Sequence, residues 1–121
     1  MKAARLREAI EEMASRPGVA ACVLVDVDAG MAWHSVGQID DLDGIGSTCS
    51  DYWRLNRRVQ GSFSALGDLR LVMLVHAKGQ LIISECGKGM LLVAVMDQLR
   101  AVDWETWKVL HARIAERVND L

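Results

Sequence analysis

LRLVMLVHAKGQLIISECGKGMLLVAVM, residues 69–96, is the stretch that decides the fold. It holds three apolar runs: Leu69 to His76, Gln80 to Cys86 and Met90 to Met96. Between them lie Ala77-Lys78-Gly79 and Gly87-Lys88-Gly89. Short runs rich in Val, Ile and Leu, separated by glycine-bearing turns, read as three strands of an antiparallel meander. Glycine supplies the positive φ that tight hairpins require.

Working back from there, Val19 to Val27 is nearly continuous apolar sequence. That pattern predicts a central strand covered on both faces. Asp28-Ala29-Gly30 turns the chain, and Met31 to Val36 returns beside it as the second strand of a hairpin. Gly37 to Gly46 is polar and acidic and reads as a loop.

Three segments carry helical spacing. In Ala3 to Arg16, Leu6, Ile10 and Met13 form an apolar stripe widened by Ala9, and Pro17-Gly18 ends it. Ser47 to Phe63 predicts a second helix, capped by Ser47 or Thr48, with Tyr52, Leu55, Val59 and Phe63 on one stripe. Its arginines, Arg54, Arg57 and Arg58, fall largely on another side. Asp103 is a natural cap for a third helix, whose stripe is Trp107, Leu110, Ile114 and Val118. Trp104, three residues before Trp107, is placed on the same core side. The order is α-β-β-α-β-β-β-α, an α+β fold with a five-stranded antiparallel sheet and helices on its faces. Residues 1–121 are read as one domain.

Composition narrows the function classes. The chain is 51% hydrophobic and 25% charged, ordinary globular usage. Its 14 basic residues are scattered among 16 acidic ones, so no broad basic face for nucleic acid is expected. The first residues carry no apolar signal region, and the longest apolar run is far short of the ~20 residues a membrane span needs. A cytoplasmic location is the expectation. Cys22, Cys49 and Cys86 show no CxxC or Cys/His spacing and read as reduced structural thiols.

No constellation points to catalysis. Asp40, Asp41 and Asp43 before Gly44 lack the alternating ligands and terminal Glu of a calcium loop, so no metal is expected. Gly44-Ile45-Gly46-Ser47-Thr48 lacks the Lys of a P-loop, so no nucleotide cofactor is assigned. His34, His76 and His111 lie on different elements without an HExxH pattern. The arginine cluster reads first as a solvated face and second as a contact for an acidic partner. No catalytic residue and no cofactor are assigned.

Two segments carry a resemblance. PGVAACVLVDVDAG (17–30) follows a helix with an apolar strand ending in Asp and a glycine turn. LVMLVHAKGQLII (71–83), followed by LLVAV (91–95), supplies paired strands and a closing apolar strand. From Leu6 to Val118 the chain resembles the roadblock/dynein light-chain family, of the profilin-like group. The resemblance implies homo- or heterodimers that align the third strand and middle helix of each protomer. It implies partners such as small Ras-like GTPases, motility components or scaffold proteins. The middle helix departs from the family, carrying Tyr52, Trp53 and three arginines where many members have smaller residues.

Physical chemistry gives a separate reason to expect pairing. The strand Leu69 to His76 has no Pro, and no Asp, Glu, Lys or Arg after Arg70, so as a sheet edge it would template another chain. A helix with Tyr52 and Trp53 on adjoining faces cannot bury both against its own sheet. Trp53, off the Tyr52-Leu55-Val59 stripe, is the expected interface anchor. The interface set expected for a homodimer is Tyr52, Trp53, Arg57, Leu71, Met73 and Val75. The alternative is a small-molecule-sensing domain of profilin-like shape, with Cys22, Ser84 and Cys86 lining a pocket between sheet and helix.

Overall fold

Val19–Asp26 (β1) and Met90–Met96 (β5) are the two most apolar strands, and they pair at the middle of the sheet. The computed structural model describes residues 1–121 and places around them α1 (Lys2–Ala14), β2 (Ala32–Gly37), α2 (Leu42–Arg58), β3 (Leu71–His76), β4 (Gly79–Glu85) and α3 (Trp104–Asn119). All pairings are antiparallel, in the spatial order β2-β1-β5-β4-β3. The element order is the one read from the sequence. β3, β4 and β5 form the expected meander, and β5 docks on β1, joining it to the first hairpin.

The two-residue side-chain period of a strand sorts the core into two layers. Cys22, Leu24, Ile82, Leu92 and Ala94 face α1 and α3, where they meet Leu6, Ile10, Met13, Trp107, Leu110 and Ile114. Val23, Val25, Ile83, Leu91 and Val93 face the other way, toward Leu42, Cys49 and Trp53 of α2. The architecture is therefore helix pair, sheet, single helix. Trp107 is buried as expected, whereas Trp104 stays partly exposed and packs edge-on against it at 6.0 Å.

Two boundaries differ from the sequence reading. The acidic loop is shorter, because α2 begins at Leu42, five residues before Ser47. Asp41, at φ 54°, makes the turn into it. Gly44 and Gly46, read as loop residues, lie inside the helix. Gly46 is there for contact: a Cβ on it would sit 2.7 Å from Val25 Cγ2 and 3.1 Å from both Val23 methyls. Only a residue with no side chain lets α2 approach β1 that closely. At the other end α2 stops at Arg58, and Gln60–Leu66 continue as a 3-10 turn rather than as α-helix to Phe63.

The cap of α3 is as the sequence indicates. Asp103 accepts hydrogen bonds from the backbone N–H of Glu105 and Thr106 and from the Thr106 hydroxyl. The bonds from Thr106, backbone first and then hydroxyl, hold its carboxyl below the usual range. His111, on the same helix, is held below its ordinary 6.5 by burial. Both shifts have one sign. In acid the unfolded chain binds protons at these two groups before the folded chain does, so their contributions are present above the unfolded pKa values and fade as pH falls. The urea midpoint is expected to drop on acidification from neutral through about pH 6, the unperturbed range of histidine. His111→Gln should flatten that limb; an unchanged pH profile in this variant would count against His111 as its source.

Candidate interaction surface

Helix α2 has two apolar stripes, and only one fits against the sheet. Leu42, Gly46, Cys49 and Trp53 recur at intervals of four, three and four, so they line one side of a 3.6-residue helix, and all are buried. Small residues in the upper half allow close approach, and the Trp53 ring fills the wider space below, beside the sheet layer of Ile83, Leu91 and Val93. Trp53 is only 4% exposed. The expectation that Trp53 reaches a partner is therefore corrected: it is a core residue of its own chain. The helix cannot present both stripes to one sheet, and the stripe carrying glycine packs more tightly.

The consequence is that Tyr52, Leu55 and Val59 point outward, and all three are exposed. The sequence spacing puts these residues on one stripe, as the structure does, but the expected anchor off that stripe, Trp53, is the residue that turns inward. Phe63 and Leu66 of the following 3-10 turn extend the stripe, also exposed. The signal that would have found the orientation was present in the Leu42-Gly46-Cys49-Trp53 spacing, masked by reading the two glycines as loop.

The outward stripe runs toward β3, which is an edge strand. Helix α2 packs on β1, β2 and, more lightly, β5, leaving the β3–β4 half of that face without a helix. Val72, Leu74 and Leu81 there are only half-buried. On the opposite face, α1 and α3 stop short of β3, and Leu71, Met73 and Val75 are exposed, Val75 by 73%. Asn56, Gln60, Phe63, Leu66, Leu69 and Leu71 line a groove of about 350 Å³ within this region. Of the expected interface set, Tyr52 thus lies exposed on the α2 face beside the open half of the sheet, and Leu71, Met73 and Val75 lie exposed on the opposite face of the edge strand. Leu55, Val59 and Phe63 belong with Tyr52 and were not in that set.

The arginines have mostly local work. Arg54 donates to Val27 O at 2.8 Å and to Asp28 O, and pairs with Asp51. Arg57 pairs with Asp28 at 3.2 Å. Together they clamp the β1–β2 turn to α2, so Arg57 is already engaged within its own chain. Arg58 is exposed and makes no ion pair.

The residues expected to line an internal pocket do not face open space. Cys22, Ser84 and Cys86 are buried in the layer under α1 and α3. The Ser84 hydroxyl lies 2.8 Å from His111 Nε2, tying β4 to α3. No carboxylate completes this pair into a proton relay. Burial pushes the Cys22 and Cys86 thiols up to about 12 and Cys49 to about 11. Thiolate is the reactive form, so a thiol-specific reagent at neutral pH is expected to modify none of the three cysteines in the folded protein and all three in denaturant. A reactive cysteine in the native state would show this packing to be looser than described. Asp43 of the acidic segment takes a hydrogen bond from the Ser35 hydroxyl, and no three His, Cys, Asp or Glu side chains converge as metal ligands.

Comparison with known proteins places the chain among relatives. The profile of the Roadblock/LC7 domain matches residues 6–96. The Roadblock/LC7 domain structure from Streptomyces avermitilis is similar at 22% identity, TM-score 0.74, covering 95% of this chain and 92% of that one. The gliding protein MglB from Thermus thermophilus is similar at 19% identity, TM-score 0.73, covering 98% and 89%. MglB from Myxococcus xanthus is similar at 16% identity, TM-score 0.73, covering 98% and 87%. No curated protein matches the chain by sequence. No helix is long and apolar enough to cross a membrane.

Proposed function

We propose, from the premise that this chain belongs to the Roadblock/LC7 domain family, that it is a non-catalytic adaptor that pairs with a second copy of itself and binds a partner protein. The observation that supports this is the apolar surface running from Tyr52, Leu55, Val59 and Phe63 to the edge strand Leu71–His76. Soluble chains seldom leave a large side-chain cluster and an unpaired strand edge open in the same place. A two-fold axis through this region lets the surface cover itself, with β3 extending the sheet into the second copy and the α2 stripes meeting across the gap on the helix face. Among the similar structures is MglB in a tetrameric arrangement, which fits a fold used for assembly. The partner class is a small Ras-like GTPase or a motility scaffold, carried by the family resemblance and by the gliding proteins among the similar structures.

Light scattering tests the first step. The purified chain is expected at twice its monomer mass at micromolar concentration. Leu55→Glu places a charge on the outward stripe and is expected to weaken association at least about 30-fold, the scale of an interface hot spot. Its thermal midpoint as a monomer should change little, because Leu55 is outside both core clusters. A wild-type monomer at high micromolar concentration would sink the self-pairing reading. For the partner, binding to small GTPases of the same organism is measured in both nucleotide states, with the chain alone expected to leave GTP unhydrolysed.

A further inference from the structure

We infer that the other end of the sheet, β2, is sealed against strand pairing by a bulge at Trp33 that Arg7 and Glu11 of α1 hold in place. This goes beyond the self-pairing reading and concerns the opposite edge. In the order β2-β1-β5-β4-β3 the sheet has two edges, β2 and β3. Neither strand carries Pro, Asp, Glu, Lys or Arg, so by composition alone both would template another chain. Their geometry separates them. β3 pairs with β4 residue for residue, from Leu71 opposite Ser84 to His76 opposite Gly79, without a break. The β2 ladder does break. His34 lies opposite Leu24 and Ala32 opposite Val25, so Trp33 is an extra residue with no partner on β1.

An extra residue has two consequences for an edge. It shifts the alternation of backbone groups, so those aimed outward before Trp33 are out of phase with those after it. An incoming regular strand finds only His34 to Gly37 in one phase, against the whole of Leu71–His76 in β3. The bulge also turns two successive side chains, Trp33 and His34, toward α1. The Arg7 guanidinium lies 5.4 Å from the centre of the Trp33 ring, and Glu11 Oε1 lies 3.5 Å from His34 Nε2. Arg7 and Glu11 are four residues apart and so stand on one side of α1. Two charges therefore sit over the edge strand, where the side chains of an added strand would strip their water at a cost. On the other face the Ser35 hydroxyl donates to Asp43 of α2. β2 is thus tied to a helix on both sides, whereas no helix packs closely on β3. A bulge, charges over the rim and a covering helix are the means by which sheets keep an edge from pairing.

Light scattering on the full chain with Trp33 deleted tests the seal, because the deletion restores regular alternation along β2. The variant is expected to keep the circular dichroism of the wild type and to scatter at about twice the wild-type mass or more at equal concentration, its second edge now being open to pairing. A folded variant of wild-type mass overturns the inference. The second measurement needs no variant. Hydrogen exchange of the wild type is followed from low to high micromolar concentration, and the β2 amides are expected to exchange at one rate throughout. β2 amides that slow as concentration rises overturn the inference, whether or not the deletion variant folds. Failure of self-pairing is read separately. A wild-type chain that scatters as a monomer sinks that reading alone, and the chain lacking Trp33 is then expected to form a pair through β2.

Discussion

Trp53→Ala is expected to lower the unfolding free energy by about 3–5 kcal/mol, the range for removing a large buried aromatic. The ring is 4% exposed and packed with Cys49, Ile83, Leu91 and Val93, so truncation leaves a cavity between α2 and the sheet. For a domain of this size the thermal midpoint should fall on the order of 10–20 °C. The result distinguishes two roles for the same residue. An interface anchor would lose association and keep a stable monomer; a core residue loses the monomer itself. Urea unfolding at several protein concentrations separates them, because a defect in the monomer persists under conditions where no dimer forms. Full monomer stability in Trp53→Ala would reverse the assignment.

Gly46→Ala carries the second large effect, and its sign is the informative part. At an exposed position inside a helix this change stabilises by up to about 1 kcal/mol. Here the added methyl would lie 2.7 Å from Val25 Cγ2 and 3.1 Å from the Val23 methyls, closer than packed carbon atoms allow. α2 would have to lift from β1, and overpacking of this kind costs about 1–3 kcal/mol. The variant should therefore be less stable than the parent in chemical denaturation. It should also associate more weakly, since lifting α2 moves Tyr52 and Leu55 relative to β3. A stabilised Gly46→Ala would mean that the helix does not sit as close to the sheet as the structure places it.

Both predictions turn on the same helix, which is where the sequence was hardest to read. The strands were legible because apolar runs and glycine turns are local signals: Val19 to Val27 reads as a central strand from its unbroken apolar run, whereas the place of Met90–Met96 beside β1 is set by the tertiary structure. The outer helices were legible because each has one apolar stripe, Leu6-Ile10-Met13 and Trp107-Leu110-Ile114-Val118. In α2 two stripes compete, and periodicity cannot rank them. Tyr52-Leu55-Val59 looks the more hydrophobic, yet the sheet selects the side with Gly46 and Cys49 because that side comes closer. The candidate surface was partly visible for the same reason: the lack of charge and proline in β3 marks it as a strand that would template another chain if it lay at an edge, and the structure puts it there, whereas Leu55, Val59 and Phe63 carried no signal that set them apart as surface.

By itself, then, the residue order determined the number, type and succession of elements and the antiparallel meander, because those depend on backbone preferences and on side-chain periods a few residues long. It also marked the edge strand as sticky. What only the tertiary structure decided was which face of α2 turns inward, where Trp53 resides, and that the uncovered stripe and the open strand edge lie side by side. These depend on how closely two surfaces distant in sequence can approach, and that distance is set by the shapes of both at once.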